Sequence, residues 1–254
     1  MTGKSGIQWT SSTWNPLTGC TRVTSGCDNC YAFALHDQRY RAYVQYEGIY
    51  PKNGKSMPLQ YSKPFSTIQL LPDRLEDPLH VKQPQMFFVN SMSDLFHSQV
   101  PDAYIVQIFE TMRKADWHIF QILTKRPGRL RRLGQQIQWP TNVWAGVSIE
   151  LDTLVARADA LREIDASVKF LSCEPLLGPL PSLRLEGIDW VIVGGESGPQ
   201  ARRMQEVWAT DLRDRCVAAD LPFFFKQWGG KTAKAGGNLL QGEIWEQMPK
   251  VYER

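Results

Sequence analysis

Six short runs of apolar residues recur after residue 84 and constrain the fold of this chain more than any other feature. They are rich in Val, Ile and Phe, and polar or helical segments separate them. Their starts lie roughly 20 to 30 residues apart, which is the spacing that successive β-strand and α-helix units need. The runs cover residues 86–90, 118–123, 142–147, 168–172, 190–193 and 222–226. Because strands buried on both faces of a parallel sheet are apolar throughout, the pattern predicts a parallel α/β fold.

Two further strands are predicted upstream, at residues 6–10 and 66–70. Amphipathic patterns predict helices at residues 101–115 and 151–164, which would cover the sheet. Eight parallel strands with helices in a chain of 254 residues predict a (β/α)8 TIM-type barrel, closed or partly open. A doubly wound open sheet is the alternative, because the sequence does not reveal strand order.

Composition and segment patterns limit the class of protein further. With 43% hydrophobic residues, 22% charged residues and a net charge of +3, the composition is that of an ordinary globular chain. We predict one barrel domain over residues 1–228, with an inserted loop at about residues 40–64, and a tail over residues 229–254 that forms a lid or a cap. No apolar stretch approaches ~18 residues and no signal-peptide layout begins the chain. We therefore expect a cytoplasmic protein with no membrane partner.

Three of the five cysteines lie on one short segment, with the spacing Cys20-x6-Cys27-x2-Cys30. In a reducing cytosol such a cluster indicates metal or redox chemistry rather than a disulfide framework. Thiolates favour zinc or iron–sulfur iron; three of them either leave one iron of a [4Fe–4S] cluster open or need a fourth ligand. Cys173, which ends a predicted strand, is the candidate fourth ligand. His36 is expected on the surface, and Cys216 is expected to be buried and inert.

Polar side chains follow nearly every predicted strand. They are Asp94, Lys125, Glu150, Glu174, Glu196 and Lys226. Since parallel α/β folds bind ligands at the carboxyl ends of their strands, we expect these groups to gather at one rim. Each of these residues alone could be a helix cap. If all six had only a structural role, however, gathering six charged groups at one rim would carry a large desolvation cost. The rim therefore predicts a polar ligand.

The motifs WNPLTGC, GCDNCYA, FVNSMSDLFH, LTKRPGRL, GVSIE, FLSCEPLLGPL, VIVGGESGP and FFFKQWGG span nearly the whole chain. Together they resemble the phage-associated three-Cys-motif family, whose function is uncharacterised and whose members are radical S-adenosylmethionine (SAM)-like. The cysteine loop departs from the common radical-SAM pattern, which has three residues in the first gap where this chain has six. The glycine-rich GGESG segment follows the seventh predicted strand, whereas the family's glycine-rich motif usually follows the second.

The resemblance implies a [4Fe–4S] cluster on Cys20, Cys27 and Cys30, with SAM on the fourth iron and a reducing partner that supplies the electron. It also implies reductive cleavage of SAM to a 5′-deoxyadenosyl radical acting on an unknown substrate, and it makes residues 1–228 a radical-SAM-like barrel domain. Candidate SAM-binding residues are Tyr31, Ser91, Asp94, Ser148, Gly194, Gly195 and Glu196, with Glu196 toward the ammonium group. Candidate catalytic residues are Lys125, Glu150, Glu174 and Lys226.

A basic stretch begins at the exit of the fourth predicted strand. Candidate anion- or nucleic-acid-binding residues are Arg126, Arg129, Arg131, Arg132, Arg202 and Arg203. Nucleic acid is one candidate substrate, since phosphate would offset cations at the start of a helix. A solvated basic helix face is the alternative. Tryptophans such as Trp9 could stack a base or simply pack in the core.

Two other functions remain open on the sequence alone. One is a non-enzymatic binding module stabilised by zinc or by a cluster, with Cys173 as the fourth ligand. The other is a cluster-free barrel hydrolase that uses Glu150 and Glu174 as acid and base.

Overall fold

The computed structural model describes residues 3–232 and 234–250. The strands are β1 (Gly3–Lys4), β2 (Ser12–Trp14), β3 (Leu17–Thr18), β4 (Gln69–Leu70), β5 (Met86–Val89), β6 (Ile119–Thr124), β7 (Val143–Ser148), β8 (Val168–Cys173), β9 (Trp190–Gly194), β10 (Phe223–Gln227), β11 (Leu239–Leu240) and β12 (Glu243–Ile244). The helices are α1 (Tyr31–Gln45), α2 (Asp102–Lys114), α3 (Pro127–Gly134), α4 (Arg157–Arg162) and α5 (Glu206–Ala218). The order of these elements is that of an α/β protein.

The main sheet has the order β1-β2-β5-β6-β7-β8-β9-β10. Strand β1 is antiparallel to β2, and the seven strands from β2 to β10 in this order run parallel. The six predicted apolar runs are confirmed as β5 to β10. The sheet is a curled half-barrel that stays open, since no described strand joins β10 to β2.

Neither upstream prediction gives a parallel strand of the main sheet. Residues 6–10 contain a turn and no strand, and β2 takes the first parallel position instead. Of residues 66–70 only β4 is extended, and it pairs antiparallel with β3 in a separate small sheet. Strands of two or three residues depend on distant partners, so the local sequence has no periodic signal for them.

The curl of the sheet is visible in the contacts of Trp9. Its ring lies 4.9 Å from that of Phe88 on β5, and 6.3 and 6.4 Å from those of Phe170 on β8 and Trp190 on β9. Strands β6 and β7 separate β5 from β8 in the sheet. One side chain can touch both only because the sheet bends around it.

Side chains alternate between two cores along each strand. On β5, Phe87 and Val89 join the large core between the sheet and the helices, whereas Met86 and Phe88 join the inner cluster within the curl. Helix α2 covers the outer face with Ile105 and its neighbours, as the pattern at residues 101–115 predicted. The helix predicted at residues 151–164 is shorter, because a 3₁₀ turn (Asp152–Leu154) precedes α4.

The C-terminal segment runs along the open edge of the sheet. The amide of Phe225 donates to the carbonyl of Trp245 at 2.7 Å, and the amide of Gln247 donates to the carbonyl of Phe223 at 3.2 Å. These bonds pair β10 with a neighbour on the side that would otherwise be exposed. The segment at residues 40–64 contains the end of α1, irregular backbone and a 3₁₀ turn (Leu59–Tyr61).

Gly195, at the end of β9, has no room for a side chain. A Cβ there would lie 1.9 Å from the backbone oxygen of Trp228, which cannot move without moving β10. We expect Gly195→Ala to lower the free energy of unfolding by about 1–3 kcal/mol, measured by urea denaturation. Gly128→Ala is the matched control, because Gly128 lies in α3 with nothing within 4 Å of its Cβ position. That control should be neutral or stabilising, and equal losses in both variants would contradict the packing account.

Candidate functional site

A cavity of about 250 Å³ opens at the carboxyl ends of the parallel strands. The thiol-bearing segment between β3 and α1, which we call the cysteine loop (residues 19–30), forms one wall. Most of the predicted site residues line this cavity: Cys20, Cys27, Cys30, Tyr31, Ser91, Asp94, Lys125, Arg126, Ser148, Glu174, Gly195, Glu196 and Lys226. The expectation that polar strand ends and the three cysteines meet at one rim therefore agrees with the structure.

Residues after β6 and β7 hold the cysteine loop against the rim. Arg126, after β6, donates to the backbone oxygen and the hydroxyl of Thr21 at 3.0 Å each, and its guanidinium lies 3.9 Å from the Cys20 sulfur. Gly26 lies against Glu150, after β7, so closely that a Cβ would be 2.6 Å from the Glu150 side chain. A larger residue at position 26 would push the loop off the rim. The loop thiols are thus held over the ends of β6 and β7.

The thiols are free in this structure. Burial raises the pKa of Cys20 to about 11, with Asp94 adding to the rise and Arg126 opposing it. Cys20 is therefore protonated at neutral pH unless a metal displaces its proton. Within the described residues, no group of three or more His, Cys, Asp or Glu side chains surrounds one point closely enough to hold a metal ion.

Cys173 faces away from the cavity. It is fully buried on β8 in the core between the sheet and the helices, near Cys216 on α5. The expectation that Cys173 points at the rim is wrong, because Ser172 and Cys173 alternate across the strand and only Ser172 lines the cavity. Cys216 is buried as expected. His36 is not on the surface: it is fully buried in α1, and its Nε2 lies 2.9 Å from the carbonyl oxygen of Lys63.

The four candidate catalytic residues form two ion pairs. The Glu150 carboxylate is fully buried between Lys125 Nζ at 2.5 Å and the Arg157 guanidinium at 3.0 Å. Glu174 pairs with Lys226 Nζ at 3.0 Å and accepts a hydrogen bond from the Ser172 hydroxyl at 3.1 Å. Glu174 and Lys226 both line the cavity, whereas Lys125 lines it and its partner Glu150 does not. Since Glu150 is sealed behind the cysteine loop, its geometry favours a supporting role over that of a hydrolase acid or base.

Glu196 holds the GGESG segment and the cysteine loop together. Its carboxylate pairs with Arg202 at 2.5 Å and accepts from the Asn29 amide at 2.9 Å. Arg202 also donates to the carbonyl of Ser25 at 2.7 Å. Burial alone would raise the pKa of Glu196, but the hydrogen bonds from Arg202 and Asn29 outweigh it and keep that pKa below its usual value. The sequence predicted that the Glu196 carboxylate binds the ammonium group of SAM, but this carboxylate already pairs with the Arg202 guanidinium.

This lowered pKa predicts a pH-dependent stability. In the unfolded chain the Glu196 carboxyl titrates near its ordinary value of 4.5, and in the folded chain it titrates below that value. Its contribution is therefore complete above pH 4.5 and is lost as the pH falls through the lower folded pKa. We expect Glu196→Gln to lower the melting temperature at neutral pH and to flatten its fall as the pH decreases below about 5. Glu206→Gln, an exposed change on α5, is the control; an unchanged acid profile in Glu196→Gln would contradict the assignment.

Comparison with protein families identifies the chain at the level of family only. Residues 4–249 match the model of a family described as "Protein of unknown function (DUF5131)". The chain belongs to this family. No curated protein and no solved structure matches it. The DUF5131 description names no reaction, cofactor or source, so the function must be argued from the site.

The remaining predicted cofactor residues of this DUF5131 protein are largely bonded to the protein itself. Asp94 accepts from the Thr124 hydroxyl at 2.7 Å and from the amides of Phe96 and Lys125 at 3.0 and 3.2 Å. The Tyr31 hydroxyl donates to the carbonyl of Ser91 at 2.7 Å. No helix begins at Asp94, so this residue organises the loop after β5 rather than capping a helix.

Most of the predicted anion-binding arginines are also paired. Arg129 and Arg132 share Asp102, Arg131 pairs with Glu163, Arg126 with Asp94 and Arg202 with Glu196. Arg203 is exposed. These pairs favour the solvated-face alternative over a preformed phosphate site on α3. Among the described residues, no helix is long and apolar enough to span a membrane.

Sequence reasoning missed several residues that shape the site. Phe33 and Phe65 form a small apolar cluster against Cys20 and Cys30. Asn90 ends β5 inside the cavity with a left-handed backbone, at a φ of 63°. For Asn90 a signal existed, since it is the polar residue that ends an otherwise apolar run. For Phe65 no signal existed, because its contact with the thiols depends on the fold of residues 46–64.

Proposed function

We propose that this protein is a cytoplasmic iron–sulfur enzyme of radical-SAM type. The observation that carries the proposal is that Cys20, Cys27 and Cys30, from one loop, line one cavity at the carboxyl ends of seven parallel strands. In parallel α/β folds this is the edge at which ligands bind. In the proposal the three thiolates hold a [4Fe–4S] cluster, and SAM and the substrate share the cavity.

The donor set fits a cluster better than a closed zinc site. Zinc needs its ligands around one point, whereas each cysteine of a [4Fe–4S] cluster binds a different iron and the sulfurs are spread apart. Three thiols around one cavity therefore suit the cluster, and Cys173, on the other face of the sheet, does not supply a fourth. This geometry argues against the binding-module alternative in its Cys173-closed form.

The apolar cluster of Phe33 and Phe65 supports the same assignment. These rings meet edge to face at 4.6 Å and pack beside Cys20 and Cys30. An apolar shell around sulfur ligands limits water access and lowers the local dielectric, which tunes a redox centre. The Arg126 guanidinium beside the Cys20 sulfur would stabilise the thiolate form.

When bound, a cluster on Cys20, Cys27 and Cys30 together with SAM would supply reductive one-electron chemistry able to remove a hydrogen atom from the substrate. The electron comes from a one-electron reducing partner. The chain's own part is to position and to shield. Lys226, paired with Glu174 inside the cavity, is the cation available to a carboxylate, and Ser148 and Ser172 offer hydroxyls to polar groups of the ligands.

The direct test is turnover of SAM. Anaerobically reconstituted protein, given dithionite as reductant, should form 5′-deoxyadenosine and methionine in equal amounts from SAM. Protein that has not been reconstituted is the control and should form neither. If the reconstituted protein neither binds nor cleaves SAM, the radical-SAM assignment is wrong, whatever metal it holds.

A further inference from the structure

Asn90 has a buried polar group that the protein leaves without a partner. The residue is 3% exposed and lines the cavity. Within the described chain, neither its amide nitrogen nor its carbonyl oxygen has a hydrogen-bond partner. A buried carboxamide without partners costs free energy, and native proteins satisfy nearly all such groups. The backbone of Asn90 is also left-handed, which is an uncommon conformation that clusters at ligand sites.

Aromatic and apolar side chains line part of the cavity around Asn90. Trp9 and Phe88 line the same cavity and meet at 4.9 Å between ring centres, and Leu123 lies beside them. The indole N–H of Trp9 is buried and, within the described residues, unpartnered as well. The cavity, of about 250 Å³, has room for a planar ring system beside these side chains.

We propose that Asn90 pairs with the hydrogen-bonding edge of a single nucleobase, which lies against Trp9 and Phe88 in this cavity. A carboxamide presents one donor and one acceptor side by side, and nucleobases present the complementary pair on one edge. A trans peptide group has its N–H and C=O on opposite edges, so one carboxamide cannot pair with both. Nucleobases also have planar faces that can stack on a single aromatic ring.

The inference that the base belongs to the substrate rests on the proposed function. The inference that a base binds at Asn90 does not. The base would be that of the substrate, bound beside SAM rather than part of it. It could belong to a free nucleoside or to a single-stranded nucleic acid, because both present the same edge.

The test is calorimetric titration of the reconstituted protein, saturated with S-adenosylhomocysteine, with adenosine, guanosine, cytidine and uridine in turn. We expect one nucleoside to bind one site per chain. Asn90→Gly and Asn90→Asp should each weaken binding about ten- to a hundred-fold, since both tolerate a left-handed backbone and both remove the amide donor. Asn53→Gly, the same change in an exposed turn, should leave the affinity unchanged. Single-stranded trinucleotides distinguish the two sources, because tighter binding than by the nucleoside assigns the base to a nucleic acid.

The same titrations are repeated without S-adenosylhomocysteine. Three results would overturn the inference: no nucleoside binds in either titration, the Asn90 variants bind as tightly as the wild type, or a nucleoside binds only when S-adenosylhomocysteine is left out. The last result would assign the pocket to the adenine of SAM. The proposed function is tested by different measurements, namely iron content and SAM cleavage. A negative result there does not affect the titration, which still tests nucleoside binding at Asn90. Melting temperatures of the variants identify any that fail to fold.

Discussion

Replacement of Cys27 by alanine is expected to abolish iron–sulfur loading. Cys27 is one of three thiols that share the cavity wall, and a cluster bound by three cysteines has no spare ligand. After anaerobic reconstitution we expect the variant to hold almost no iron, against about four irons per chain in the wild type. The effect is measured by iron and acid-labile sulfide analysis and by the absorbance at about 400 nm. Cys20→Ala and Cys30→Ala should behave in the same way.

Cysteines elsewhere in the chain supply matched controls for this experiment. Cys173→Ala and Cys216→Ala remove buried thiols on the helix side of the sheet, so each should lower stability while leaving iron loading intact. A loss of loading in Cys173→Ala equal to that in Cys27→Ala would mean that the site is a closed Cys₄ centre. Full loading in Cys27→Ala would remove the cysteine loop from the metal site altogether.

Replacement of Glu150 by alanine is expected to destabilise the fold more than any other single change at the rim. Its carboxylate is fully buried and satisfies two cations, Lys125 and Arg157, the second with a side chain only 7% exposed. Removing one partner of a buried ion pair leaves an uncompensated charge, which typically costs about 3–5 kcal/mol. Chemical denaturation should show a loss of that size, and a melting temperature lower by roughly 10 °C.

Glu110→Ala is the matched control for Glu150→Ala. Glu110 also pairs with an arginine, Arg113 at 2.5 Å, but its side chain is 47% exposed. Solvent-exposed pairs contribute little, so we expect less than about 1 kcal/mol from this change. Equal losses of unfolding free energy in the two variants would mean that the buried ion pairs of Glu150 stabilise the fold no more than an exposed pair does.

The sequence predicted the strands of the sheet best where burial on both faces forced an uninterrupted apolar run. Strands β5 to β10 are of this kind, and each run matches its strand within one residue at either end. The first parallel strand, β2, has only three residues and takes its place from pairing with β5, some 75 residues away. Such a pairing leaves no local pattern. The resulting sheet has seven parallel strands rather than eight, and it stays open.

The candidate site was predictable in its outline and less so in its contacts. The rule that parallel strands end at one edge brought Lys125, Glu174 and Lys226 to the cavity with the cysteine loop. Strand alternation could also have sent Cys173 to the far face, since it follows Ser172 directly. Which side chains pair with one another was not predictable: Asn29 meets Glu196 across 167 positions of sequence, and only the fold brings them together.

Many of the charged side chains that were predicted to bind ligands instead pair with other residues of the protein. Glu196 joins two loops through Arg202 and Asn29, and Asp94 accepts hydrogen bonds from Thr124 and Lys125 at the end of β6. Groups that remain for ligands include the three thiols, the pair of Lys226 and Glu174, the hydroxyls of Ser148 and Ser172, and the carboxamide of Asn90. This division separates the frame of the site from the surface that would contact cofactor and substrate.

The presence of an iron–sulfur cluster is tested by the metal content of the wild-type protein after anaerobic reconstitution with iron and sulfide. If the cysteine loop holds a [4Fe–4S] cluster, the protein will be brown and contain about four irons and four sulfides per chain, bound in the absence of SAM. A colourless protein that holds one zinc ion per chain and takes up no iron would show that the loop holds no such cluster.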